Sequence, residues 1–158
     1  MYLSTGQRRS KKMSLAAKLR RAPGRIATGA FILNSGLGKL KGDEQTAAGL
    51  HGMAKGAYPI VSNVPPKTFL KLLAVTEVAV GGALLFPLVP AGLAGLILTG
   101  FAGGLVGLYA RTPGMHDGKL RPTQSGTPLA KDLWLAAIGI GLVIDAALNE
   151  SPITKTEL

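Results

Sequence analysis

From Leu72 to Tyr109 the chain runs 38 residues with a single charged side chain, Glu77. As one helix this stretch would extend about 57 Å, nearly twice a hydrocarbon core of about 30 Å. Phe86-Pro87-Leu88-Val89-Pro90 supplies a fold point, because two prolines three apart cannot both sit inside one regular helix. The pattern therefore predicts two antiparallel membrane spans, about 69–86 and 91–109.

A further apolar stretch, about 129–148, follows Thr127-Pro128, an N-cap residue with proline at the first helical position. Trp134 near its start suits an interfacial aromatic. The segment 26–40 is shorter and holds Asn34 and Lys39; it predicts a first span whose Arg25 and Lys39 ends snorkel to the head groups. The alternative for this segment is an interfacial or reentrant helix. Between the first two spans, Asp43 as N-cap and Ala47, Leu50 and Ala54 on one face predict a short helix on the membrane surface, ending near Tyr58-Pro59. The connector 111–126, rich in Pro, Gly and Thr, reads as a surface loop. The expected fold is thus an all-α integral membrane four-helix bundle, residues 25–150. It is preceded by a basic leader, 1–24, at the surface or disordered, and followed by a tail, 151–158.

Composition supports a membrane chain: 47% of residues are hydrophobic and only 16% charged. Twenty-two glycines point to close helix approach. The net charge of +10 comes from basic residues flanking apolar runs, where they suit anionic lipid head groups better than nucleic acid. The leader, with Arg8, Arg9, Lys11, Lys12, Lys18, Arg20 and Arg21, is the strongest such segment. Four spans place both termini on one side. Basic residues are equally divided between the two faces, and the dense cluster before the first span favours cytoplasmic termini in a cell membrane.

Ionisable groups at membrane depth are costly and mark candidate sites. Glu77 lies six residues beyond Lys71, and Asn34 five before Lys39, so the two are expected at similar depth and within bonding reach. A Glu77 paired with Asn34 or Lys39 would be structural; a Glu77 lining a polar pocket could carry a proton. Asp145, thirteen residues past Asp132, is expected to pair with Arg25 and tie the first and fourth helices, the alternative being a place on a proton path.

Without cysteine, thiolate metal sites and thiol catalysis are excluded for this chain alone. His51 and His116 both fall in surface segments, so neither a metal site nor haem is expected. Gly92, Gly95, Gly100, Gly103, Gly104 and Gly107 form a small-residue seam, read as internal packing or as a homodimer face. No nucleophile and base stand at recognisable spacing, which argues against an enzyme.

Arg25, Gly29 and Gly36-Leu37-Gly38-Lys39, a surface segment ending in Pro59, and Thr76-Glu77-Val78-Ala79-Val80-Gly81-Gly82 follow in an order that resembles the DoxX family of small four-span membrane proteins. The resemblance covers roughly residues 25 to 148. It implies a four-helix membrane bundle, with Glu77 and Lys39 at matching family positions; the family is named for membrane subunits linked to quinone-dependent sulfur oxidation, and most relatives have no assigned activity. The leading expectation is a non-catalytic accessory subunit beside a membrane protein partner, with no cofactor of its own, although a quinone contact is compatible with the resemblance. The alternative is an independent small-solute carrier with Glu77, Asn34 and Thr99 along a polar path.

Overall fold

The computed structural model describes residues 5–150, with side chains for residues 15–149. The expected C-terminal tail, 151–158, and the first four residues of the leader lie outside the described residues, as do the side chains of Arg8, Arg9, Lys11 and Lys12. Among the described residues the chain is all-helical: α1 (Thr5–Leu40), α2 (Glu44–Ala57), a 3-10 turn (Pro59–Asn63), α3 (Pro66–Leu85), α4 (Ala91–Arg111), α5 (Thr127–Ala130) and α6 (Asp132–Glu150).

Among the described residues three segments are long and apolar enough to cross a membrane: Pro66–Leu85, Ala91–Arg111 and Thr127–Asn149. They correspond to the second, third and fourth expected spans, and the break between the first two falls at the Pro87 and Pro90 turn. The first expected span is not among them. It forms the C-terminal part of the 36-residue α1, which continues from the leader through Pro23 without a break. From Thr5 onward, then, the leader is helical.

Helix ends follow local chemistry. Asp43 caps α2, accepting a hydrogen bond from the Thr46 N–H at 2.8 Å, and Tyr58 with Pro59 closes that helix. Thr127 does not cap the last segment as expected. Gly126 holds that position, and the Thr127 hydroxyl instead donates to the Thr123 carbonyl at 2.9 Å. The connector after α4 is tied back to that helix. Tyr109 Oη donates to the Leu120 carbonyl at 2.9 Å, and Leu120 sits in the left-handed region at φ 62°.

Two pairs of helices, α1 with α3 and α4 with α6, build the bundle, and glycine lets each pair approach backbone to backbone. A Cβ at Gly81 of α3 would lie 2.6 Å from the Leu33 nitrogen of α1, and one at Gly36 of α1 would lie 2.8 Å from the Ala74 carbonyl of α3. In the second pair, a Cβ at Gly95 would lie 2.7 Å from the Gly139 carbonyl. The pairs meet in a core of Ile32, Val80, Leu84, Ala94, Leu98 and Leu142.

Candidate functional site

The register of α1 on α3 decides which polar groups meet. Gly29, Ile32, Gly36 and Lys39 fall on one stripe of α1 at helical spacing, and Gly36 rests against Glu77 and its neighbours. Lys39, one turn on, reaches across: its Nζ donates to Glu77 Oε2 at 2.9 Å and to Ser35 Oγ at 2.7 Å. The Glu77 side chain is only 7% exposed, against 21% for Lys39. The carboxylate is therefore sealed between helices while its partner keeps one side toward solvent.

Asn34 does not join this pair. It lies about 200° around α1 from Gly36, so it is carried to the outer face. There it is exposed. Thr99 is equally remote from the pair, donating to the Gly95 carbonyl at 2.8 Å and packing on Gly139. Glu77, Asn34 and Thr99 thus form no common polar path.

A residue that sequence reasoning treated only as a depth marker belongs with Lys39 and Glu77. Asp132, in the first turn of α6, is half-buried and within electrostatic reach of both. Its position beside Lys131 at the head of an apolar run suggested the interface; the short α5 turn preceding it, which the sequence did not reveal, sets where α6 begins.

At the other end of the bundle the expected pairing of Arg25 with Asp145 is replaced. Asp145 accepts from Arg20 and Arg21 together: Arg20 Nε donates at 3.0 Å, and Arg21 Nη2 also reaches the Asp145 carbonyl at 3.1 Å. Because α1 begins far before Arg25, these earlier arginines are already fixed on the helix and reach Asp145 first. Arg25, one turn further along, meets the C-terminal end of α3 instead. Its guanidinium donates to the carbonyls of Leu84 at 2.8 Å, Phe86 at 3.0 Å, Ala83 at 3.1 Å and Val89 at 3.1 Å. A cation here satisfies orphan carbonyls and opposes the negative end of the helix dipole.

The histidines act locally. His51 Nε2 meets the Val61 carbonyl at 3.0 Å with its ring edge-on to Phe69, and His116 Nε2 meets the Ala110 carbonyl at 3.0 Å. No cluster of three metal-ligating side chains occurs among the described residues. The glycine seam of α4 divides: Gly92 and Gly95 pack on α6, Gly107 meets Tyr58, and Gly100, Gly103 and Gly104 face outward with open space where a Cβ would lie.

A cavity of about 360 Å³ opens where α1 ends and α2 and α3 begin, with Lys39 in its lining. It approaches the Lys39–Glu77 pair from the lysine side, and Glu77 does not line it. The chain matches no protein-family model, no curated protein and no solved structure.

Proposed function

We propose that this protein is a four-span, DoxX-like membrane subunit without catalytic chemistry of its own, serving as an accessory to a membrane complex in a quinone-linked redox system. The observation that carries the reading is the sealing of Glu77 by Lys39. An intramembrane carboxylate held by a lysine and closed off from the cavity ties two helices together, whereas a carrier needs that group exposed along its path.

On this reading α1 is the fourth span. Between Arg25 and Lys39 it presents Ile26, Phe31 and Leu37 to the outside. At one charged end the α3 carbonyls accept the Arg25 hydrogen bonds, and at the other Glu77 neutralises Lys39. Such pairing offsets the cost of crossing with a helix less apolar than its neighbours. Cytoplasmic termini in the cell membrane accord with the density of basic residues in the leader.

A quinone ring fits the cavity poorly, since lysines and carboxylates line it where a neutral ring needs apolar or aromatic walls.

The deciding experiment is purification of the full chain from its native membrane in mild detergent, with identification of what co-purifies stoichiometrically. A reproducible redox partner is expected. Recovery of the chain alone, together with solute or proton flux in reconstituted vesicles that Glu77→Gln abolishes, would replace this reading with the carrier.

A further inference from the structure

The cavity between α1, α2 and α3 holds three lysines, Lys39, Lys67 and Lys71, and two carboxylates, Asp43 and Glu44. Their engagements differ. Lys39 is neutralised by Glu77 beneath it. Asp43 is committed to the α2 cap through the Thr46 N–H. Lys67 pairs with Glu44, but the two side chains are 72% and 81% exposed, so water screens the pair and either partner can be drawn away by a competing ion. Lys71, also exposed, makes no ion pair or hydrogen bond among the described residues.

With Lys39 matched by Glu77, the remaining two lysines equal the two carboxylates in charge, so an anion binds here by taking up Lys71 and drawing Lys67 from its screened pairing with Glu44. The N-terminal end of α3 borders the cavity and brings the positive end of its dipole to it, whereas the corresponding end of α2 is already taken by Asp43 and Glu44. Leu40 and Leu70 provide an apolar wall beside the lysines. Since the apolar stretch of α3 starts at Pro66, Lys67 and Lys71 stand on its first turns, at the depth where head groups lie. The volume is at the lower end of the range of about 300–1,000 Å³ usual for small-molecule sites, enough for a phosphate with its glycerol.

We infer that this cavity binds a phosphate group, with Lys71 and Lys67 as its ligands and the Leu40–Leu70 wall against the adjoining carbon chain. The group reaches the site either on an anionic lipid or on a soluble phosphate compound. Binding at this position does not depend on the accessory-subunit reading, because its ligands lie outside the helix-to-helix pairing of Glu77.

The test uses the full chain in neutral detergent, with native mass spectrometry against added phosphatidylglycerol and phosphorus NMR titration with inorganic phosphate. One phosphatidylglycerol retained per chain is expected. The Lys67→Ala/Lys71→Ala double variant should weaken retention about ten- to thirty-fold, given the contribution of each lysine near an anionic surface. A Lys119→Ala/Arg121→Ala variant, which removes equal charge from the connector, should leave it unchanged. Lys67→Arg/Lys71→Arg should restore binding and so exclude misfolding as the cause. Binding of inorganic phosphate alone with the same dependence on Lys67 and Lys71 supports the site with a soluble ligand. Equal weakening by both alanine pairs, or no retention of either probe by the unaltered chain, overturns the proposal.

Discussion

Lys39 Nζ stands 2.9 Å from Glu77 Oε2, and the two partners are unequally buried. That inequality sets what each substitution leaves behind. Glu77→Gln leaves a lysine that can turn toward the cavity and water, so the loss should be about 1–2 kcal/mol, in the range of a single hydrogen bond. Lys39→Met strands a carboxylate between helices and should cost about 3–5 kcal/mol. The double variant should recover most of that loss, because the stranded charge is gone. Unfolding in mild detergent checks the order; equal losses in the two single variants would show that Glu77 reaches solvent after all.

Glycine substitutions should separate into two groups. Gly81→Ala and Gly95→Ala place a methyl against backbone atoms at 2.6 and 2.7 Å, which cannot yield without parting the helices. Overpacking of this kind costs about 1–3 kcal/mol. Gly103→Ala meets nothing within 4 Å and should be neutral or stabilising by up to about 1 kcal/mol through helix propensity. Thermal melts of the three variants in one detergent test this directly. A loss at Gly103 matching that at Gly81 would argue against close helix approach as the source of both.

These contrasts mark how far the sequence could be read. The Pro87 and Pro90 turn, the Asp43 cap and the apolar stretches around it are local signals, so α2, α3 and α4 are legible within a few residues of their ends. The ends of α1 are not equally legible. Its C-terminal limit at Leu40 agrees with the expected span, but its continuation back to Thr5 rests on a basic segment with no apolar period. That extension is why Arg20 and Arg21, rather than Arg25, hold Asp145. Depth along a helix can be counted from sequence, which brought Glu77 and Asn34 to one level, with Lys39 nearer the interface. Which face of α1 turns toward α3 depends on packing, and it is the Lys39 face rather than the Asn34 face that does so. Asp132 was missed for a related reason, since its reach to Glu77 depends on how α6 lies across the bundle.

Arg25 should resist replacement by lysine. Four carbonyls from the end of α3 and the following turn surround one planar guanidinium. A lysine ammonium keeps the charge but cannot present donors to all four from a single nitrogen. Arg25→Lys should therefore lose about 1–3 kcal/mol, reduced from the full value of its charged hydrogen bonds by partial exposure. Amide exchange should rise first at Phe86 and Val89, whose turn the guanidinium braces. By contrast Arg20→Ala, at a side chain 55% exposed, should change stability by less than about 1 kcal/mol. An Arg20→Ala loss exceeding that of Arg25→Lys would reverse the roles assigned to the two arginines.

The α2 cap should respond to acid with a definite sign. The Thr46 backbone N–H donating to Asp43 holds that carboxyl below its ordinary value. A carboxyl with a depressed folded value stabilises the helix above its unfolded value, about 4, and loses that contribution as pH falls through the lower folded one. Amides in the first turn of α2 should thus exchange faster, relative to intrinsic rates, as pH falls below about 4. Asp43→Asn keeps a capping oxygen but removes the titration. It should abolish the acid response and leave protection at neutral pH nearly intact. If the response persists in Asp43→Asn, the titrating group is another acid, and Glu44, adjacent in the first turn and paired with Lys67, is the one to replace next.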